Sequence, residues 1–258
     1  MKTFQLIFSA LPGLPLVEEG DDLLQLILEG MERAGLQTED GDVFVLAQKI
    51  VSKSEGRLIY LPDIEPSIEA KRLAETTGKD PRILDVILNE SRSVLRQREG
   101  LVVVEHRLGF VCANAGVDHS NVRGEYGEDD DWVLLLPEDP DRSADKLRNE
   151  IQKATGKLIA VLIIDSHGRA WRMGTAGVCI GAAGFPALLD LRGEPDLFDV
   201  TLKSTEVGLA DEIASGASAL MGQANEGRPV IHMRGLPYTL REGNCEELIR
   251  PKEQDLFR

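Results

Sequence analysis

An apolar run that ends on a carboxylate constrains this chain more than any other feature. Leu158-Ile159-Ala160-Val161-Leu162-Ile163-Ile164 is followed at once by Asp165-Ser166-His167-Gly168-Arg169-Ala170-Trp171-Arg172. A run of strand length with no polar alternation predicts a strand buried on both faces. Gly168 lets the chain turn, and Arg169 and Arg172 then flank a tryptophan. Oxygen donors at the end of a buried strand, followed by guanidinium groups, suit a hard cation and a phosphate. The same residues also suit a plain strand end, with a solvated aspartate and a tryptophan over the core edge. The stretch alone leaves both readings open.

The rest of the chain limits what such a strand can serve. With 258 residues there is room for one large domain or two small ones. We expect a single module over residues 1–258, with two subdomains as an option and no legible boundary. The formal net charge is −15, which argues against nucleic-acid binding through a basic surface. An acidic protein that takes anionic small molecules must concentrate positive charge locally, through a few Lys and Arg or through metal ions. Cys112, Cys179 and Cys245 are far apart and form no C-x-x-C pair, so neither a disulfide framework nor a structural zinc site is expected. A reducing cytoplasm fits best. Lys2 ahead of Phe4 to Leu11 faintly resembles a signal peptide. However, Gln5 interrupts it and Pro12 and Pro15 follow, so a first strand is expected there instead. No apolar run reaches the length of a membrane span.

Along the chain, strands are expected at 3–11, 43–47, 101–105, 132–136, 158–164, 178–182 and 229–233. Helices are expected from an Asp21 or Asp22 cap to about Gly35, over most of 62–98, and from Ser143 to about Ala154. Ser204 or Thr205 is expected to cap a last helix that runs to about Met221. Residues 48–57 read as a polar segment rich in basic side chains. The elements mix without strict alternation, which predicts a mixed α/β (α+β) fold and not a doubly wound sheet.

No P-loop, Rossmann glycine motif or G-x-S-x-G elbow occurs. Asp165, Ser166 and His167 cannot form one relay, because neighbours on an extended chain point to opposite faces. What remains is a dispersed set of oxygen donors, Asp118, Asp165, Ser166 and Glu206. Few histidines and no clustered thiols would favour Mg²⁺ or Mn²⁺ over zinc. Lys53, Arg169 and Arg172 could neutralise phosphates, and Asn121 is the right type to read a base or a phosphate oxygen. Each of these residues also fits a turn or a solvated face.

Taken in order, the motifs resemble a known family. They are Gly13-Leu14-Pro15, Val51 to Arg57, Arg107-Leu108-Gly109-Phe110, Ala115 to Asn121, Asp165 to Arg172, Gly181-Ala182-Ala183-Gly184, and Thr205-Glu206-Val207 with Ala210-Asp211-Glu212. The set resembles the coenzyme F420-0:L-glutamate ligase family. The resemblance implies a GTP-dependent amide ligase. GTP would activate the carboxylate of F420-0 as an acyl phosphate, which the amine of L-glutamate then attacks; later glutamates would be γ-linked. It implies an intertwined homodimer that uses Mg²⁺ or Mn²⁺, two ions in all, with K⁺ helping. By the same resemblance Asp118, Asp165, Ser166 and Glu206 are metal positions. Leu14, Pro15, Leu16, Val17, Gln48, Lys53, Asn121, Ser204, Thr205, Val207, Gly208, Leu209, Ala210 and Asp211 are GTP positions. Our own candidates for catalytic contacts are Asp165 with Arg169 and Arg172. Gln48, Leu16 and Ser166 depart from the usual residue types of the family at their positions. The length leads us to expect the ligase module without a fused C-terminal flavin domain. The rivals are a related amide ligase acting on another carboxylate and a non-catalytic metal-binding dimer.

Overall fold

The computed structural model describes residues 3–124 and 126–256; Lys2 of the signal-like stretch lies outside them. The chain opens with β1 (Ile7–Ala10), α1 (Leu23–Arg33), β2 (Val43–Ala47), α2 (Gln48–Ser54) and β3 (Leu58–Tyr60). It continues through α3 (Ile68–Thr77), α4 (Pro81–Asn89), β4 (Ser91–Arg98), β5 (Leu101–His106), β6 (Val111–Ala113) and β7 (Trp132–Leu134). Then come α5 (Pro140–Thr155), β8 (Ala160–Gly168), β9 (Thr175–Ala183), β10 (Leu189–Asp190), β11 (Glu206–Val207), α6 (Leu209–Met221) and β12 (Val230–Arg234). This is the mixed α/β architecture expected.

The main sheet has the order β1-β12-β2-β8-β9, with β2 and β8 parallel and the other pairs antiparallel. The apolar run lies inside it as β8. Val161 and Ile163 join Phe44 and Leu46 on the face covered by Ile27 and Met31 of α1 and Leu147 and Ile151 of α5. Leu162 and Ile164 join Val43 and Val45 on the face covered by Ile213, Ala214 and Ala217 of α6. Burial on both faces requires that every residue of the run be apolar, since each large side chain contributes roughly 1.5–3 kcal/mol only if it leaves water. At β9 the register shifts, and Ile180 is the extra residue. A bulge of this kind reverses side-chain alternation. It lets Gly177 lie under α6 and Gly181 under the start of α5. A Cβ on Gly177 would sit 2.5 Å from the carbonyl of Ala214, and one on Gly181 2.5 Å from the carbonyl of Pro140.

A smaller antiparallel sheet, β4-β5-β6, packs Val102 and Val104 against Leu84 and Ile87 of α4. The β3–β7 pair packs Val133 against Val86 of α4. Segment 91–98 is therefore a strand, not the end of a helical stretch. Glu90 closes α4, and Ser91 to Arg98 then pairs with β5 through two register shifts. Residues 48–54 form a helix. The last helix begins at Leu209 with Gly208 as its cap, not at Ser204 or Thr205, because Glu206 and Val207 pair with β10. The first strand is shorter than expected, and Cys179 Sγ lies 2.9 Å from Cys245 Sγ although both are free thiols. Among the described residues no helix is long and apolar enough to cross a membrane.

Two carboxylates brace the fold, buried Asp42 beside the main sheet and part-buried Glu90 at the end of α4. Burial pushes Asp42 up, but hydrogen bonds from Arg234 and His232 and the Glu39 amide outweigh it and hold Asp42 at about 2. Arg234 Nε donates to Asp42 Oδ1 at 2.7 Å. Burial also pushes Glu90 up, and His106, Arg107 and Arg57 bring it down to about 2. Both folded-state values lie below the unfolded ones, so their stabilisation is present above about pH 4.5 and is lost as the pH falls toward about 2. Urea unfolding between pH 6 and 3 should show a progressive loss of a few kcal/mol, on the order of 2 per carboxylate. Asp42→Asn should flatten that slope. An unchanged slope would contradict this assignment.

Candidate active site

Beyond the carboxyl ends of the parallel strands β2 and β8 lies a crevice of about 730 Å³. Parallel neighbours release their chains at the same end, and diverging loops leave a cleft there. Ala47 and Ile164-Asp165-Ser166 form its base. Its walls are residues 14–17, the start of α2, the loop 118–123 and the turn 221–229 that follows α6.

Asp118 is fixed by backbone hydrogen bonds in both directions with Leu134. Its Oδ2 accepts from Gln48 Nε2 at 3.2 Å and lies 3.3 Å from Lys49 Nζ. Burial pushes the Asp118 carboxyl up, Lys49 pulls it down, and the negative charge of Asp165 pushes it up again. The two carboxylates thus feel each other across the base of the crevice. Asp165 Oδ2 is also 3.1 Å from His167 Nε2, as expected for residues two apart on a strand, and Ser166 between them lines the crevice too.

Basic groups face this acidic base. Lys49 Nζ donates to the Ser120 carbonyl and hydroxyl at 2.7 and 2.8 Å, and Lys53 Nζ to the Asn121 carbonyl at 2.8 Å. Burial, then the charge of Lys49, lowers the Lys53 pKa. Asn121 has φ of +57°, in the left-handed region that asparagine tolerates. Its Nδ2 reaches the Ala224 carbonyl at 3.1 Å and links two walls. Gln223, on that second wall, donates from Nε2 to Ser218 Oγ at 3.0 Å.

Half of the residues expected at a site therefore converge here: Leu14, Pro15, Leu16, Val17, Gln48, Lys53, Asp118, Asn121, Asp165 and Ser166. The others do not line this crevice in the chain. Glu206 sits in β11, where it faces Arg192 at 3.2 Å. Val207 pairs with Leu189, and Leu209 and Ala210 are buried against the sheet as the first turn of α6. Gly208 caps that helix, while Ser204 and Thr205 precede β11. Asp211 accepts from the Cys179 amide and lines a different cavity. Arg169 and Arg172 lie in the exposed turn between β8 and β9, where Arg169 Nη2 donates to the Met173 carbonyl.

Lys49 and the turn 221–229 line the crevice but were not expected from sequence. Lys49 stands four residues before Lys53 on one helix, a spacing that would have paired them had α2 been recognised. The turn Gly222-Gln223-Ala224-Asn225-Glu226-Gly227-Arg228 is polar and glycine-bounded just ahead of a strand.

Among the described residues, no three His, Cys, Asp or Glu side chains form a ready-made metal cage. The donors present are two mutually repelling carboxylates, a hydroxyl and amide oxygens. That all-oxygen, half-complete set fits a hard divalent ion that takes its remaining ligands from a polyphosphate or water.

Fold and site together define an α+β protein with charged groups of both signs gathered in a crevice beyond its parallel strands. The chain belongs to the F420-0:Gamma-glutamyl ligase family, whose model matches residues 13–235. It is 47% identical over 248 residues to the coenzyme F420:L-glutamate ligase of Methanothermobacter thermautotrophicus, covering 95% of this chain and 96% of that protein. It is 48% identical over 246 residues to the enzyme of that name from Methanopyrus kandleri, covering 94% of this chain and 93% of that protein. Against the one from Archaeoglobus fulgidus it is 42% identical over 246 residues, covering 95% and 94%.

Proposed function

We propose that this protein is a GTP-dependent ligase that joins L-glutamate to coenzyme F420-0, the first by an amide bond and later ones by γ-linkage, with release of GDP and phosphate. The observation that carries the proposal is the convergence of Asp118 and Asp165 with Lys49 and Lys53 in one crevice. Triphosphate, carboxylate and glutamate are all anionic, and bringing them together requires this local cationic charge. Asp118, Asp165 and Ser166, with Gln223 as a neutral oxygen donor, would hold Mg²⁺ or Mn²⁺. A bound divalent ion supplies charge neutralisation for phosphate oxygens. Lys49 and Lys53 would hold phosphate oxygens, Asn121 and residues 14–17 would orient the nucleotide, and the 221–229 turn would close over it.

In this proposal the molecule works as a homodimer. The segment from β10 to β11 leaves Leu197 98% and Phe198 84% exposed, and Met173 on the β8–β9 turn is 96% exposed. Side chains this apolar gain from covering one another across a two-fold interface. Pairing would also carry Glu206 and its neighbours to a second copy's crevice. Light scattering should give twice the chain mass for the wild type, and Leu197→Asp with Phe198→Asp should shift it to the monomer. An unshifted dimer would contradict this interface.

Mass spectrometry of products from F420-0, L-glutamate, GTP and Mn²⁺ tests the activity. Glutamyl-extended F420 with matching GDP is expected. Extension of a folate-like acceptor but not of F420-0 would replace the acceptor, and no extension of either would overturn the reading.

A further inference from the structure

A second cavity, of about 420 Å³, lies along β9. This strand is the edge of the main sheet, and its outer backbone groups meet side chains where a sixth strand would pair. Asp211 Oδ1 accepts from the Cys179 amide at 2.8 Å, and Asp141 Oδ1 accepts from the Ala182 and Cys245 amides at 2.7 and 3.0 Å. Each carboxylate is thus anchored through one oxygen, which leaves Oδ2 for an occupant. The lining also carries Arg92 and Arg107, together with Glu138, Asp139 and Glu246. Arg107 is fixed by Glu90 at 2.9 Å and by the Glu138 carbonyl at 2.8 Å, whereas Arg92 approaches Glu105 only to 3.8 Å. His167 closes the inner end and packs on Phe110.

We infer that this cavity is the L-glutamate site, an inference that rests on the ligase reading above. An α-amino dicarboxylate carries one ammonium and two carboxylates, and the cavity lining carries charges of both signs. In this assignment the anchored Asp141 and Asp211 take the ammonium, and Arg92 and Arg107 take the carboxylates against the repulsion of Glu138, Asp139 and Glu246. Its volume accommodates one amino acid with water. Position supports the same occupant. His167, which lines this cavity, stands 3.1 Å from Asp165, which lines the crevice. The two cavities therefore adjoin on either side of that pair of side chains. An amine held at the inner end of the smaller cavity faces the acyl group activated in the larger one. Such an arrangement keeps the two anionic substrates on separate paths until they meet.

Calorimetric titration of L-glutamate into the intact protein, with Mn²⁺ and GTP analogue present, tests the site. Arg92→Ala removes one carboxylate partner whose own ion pair is long and exposed. Ile249→Trp fills the cavity from its rim. Both variants should weaken L-glutamate binding at least tenfold and raise its KM to match, with kcat and the KM for GTP within about threefold of wild type. D-glutamate and L-glutamine should bind less tightly than L-glutamate. Wild-type-like glutamate affinity in both variants, or no glutamate binding to the wild type, overturns the site. If the wild type makes glutamyl-F420 while the variants keep its glutamate KM, the site fails and the ligase reading stands. If glutamate binds here but no extended product forms from any acceptor, the ligase reading fails instead.

Discussion

Asp165→Asn should lower glutamate ligation by at least about 10³-fold, some 4 kcal/mol of transition-state stabilisation, with little change in melting temperature. The loss is large because Asp165 combines a position and a charge that no neighbour can replace. It stands one residue beyond the last pairing of β8 with β2, and its charge is felt at Asp118. The amide is nearly the same size, so packing around Val178, its partner on β9, is preserved. Removing one of two repelling carboxylates also relieves their repulsion, which offsets the loss of the charged contact with His167. The variant should therefore unfold like the wild type and fail to turn over. Steady-state rates beside a thermal melt separate the two. Retention of more than a tenth of the activity would remove Asp165 from the reacting centre.

Gly177→Val should have the largest effect on stability. Gly177 pairs with Ser166 across the β8–β9 ladder and lies beneath α6. Any Cβ there would come within 2.5 Å of the Ala214 carbonyl and the Ser218 Cβ, so the helix must lift. Overpacking against helix backbone costs about 3 kcal/mol, which for a chain of this size lowers Tm by roughly 10 °C. The strain also has a direction. The end of α6 runs straight into the 221–229 turn, and Ser218 holds Gln223. The residual folded population should thus bind nucleotide less tightly, which calorimetric titration would show. A melting temperature within 2 °C of wild type would mean that α6 is not seated on β9 as described.

The parts legible in sequence were those governed by local rules. The run ending at Ile164 suggests a strand buried on both faces, and Asp21 or Asp22 suggests a helix cap, of which Asp22 is the one whose carboxylate reaches the amide of Gln25. The convergence of Asp118 on Asp165 was not local. It depends on the parallel pairing of β2 with β8 and on the Asp118–Leu134 bridge, neither of which leaves a periodic trace. The sequence misled where two local signals competed. Ser204 and Thr205 are good helix caps, yet the pairing of Glu206-Val207 with Leu189-Asp190 prevails there and delays the helix to Leu209. Ser91 to Arg98, polar on both sides, carried no strand period, and β5 beside it supplies the pairing.

The account rests on Asp118 and Asp165 together holding a divalent ion against a triphosphate. Electron paramagnetic resonance of Mn²⁺ titrated into the protein with GTP measures this directly. The account predicts a bound-ion signal in the wild type and at least a tenfold weaker Mn²⁺ affinity in Asp118→Asn. Equal Mn²⁺ binding by wild type and variant in the presence of GTP would contradict it.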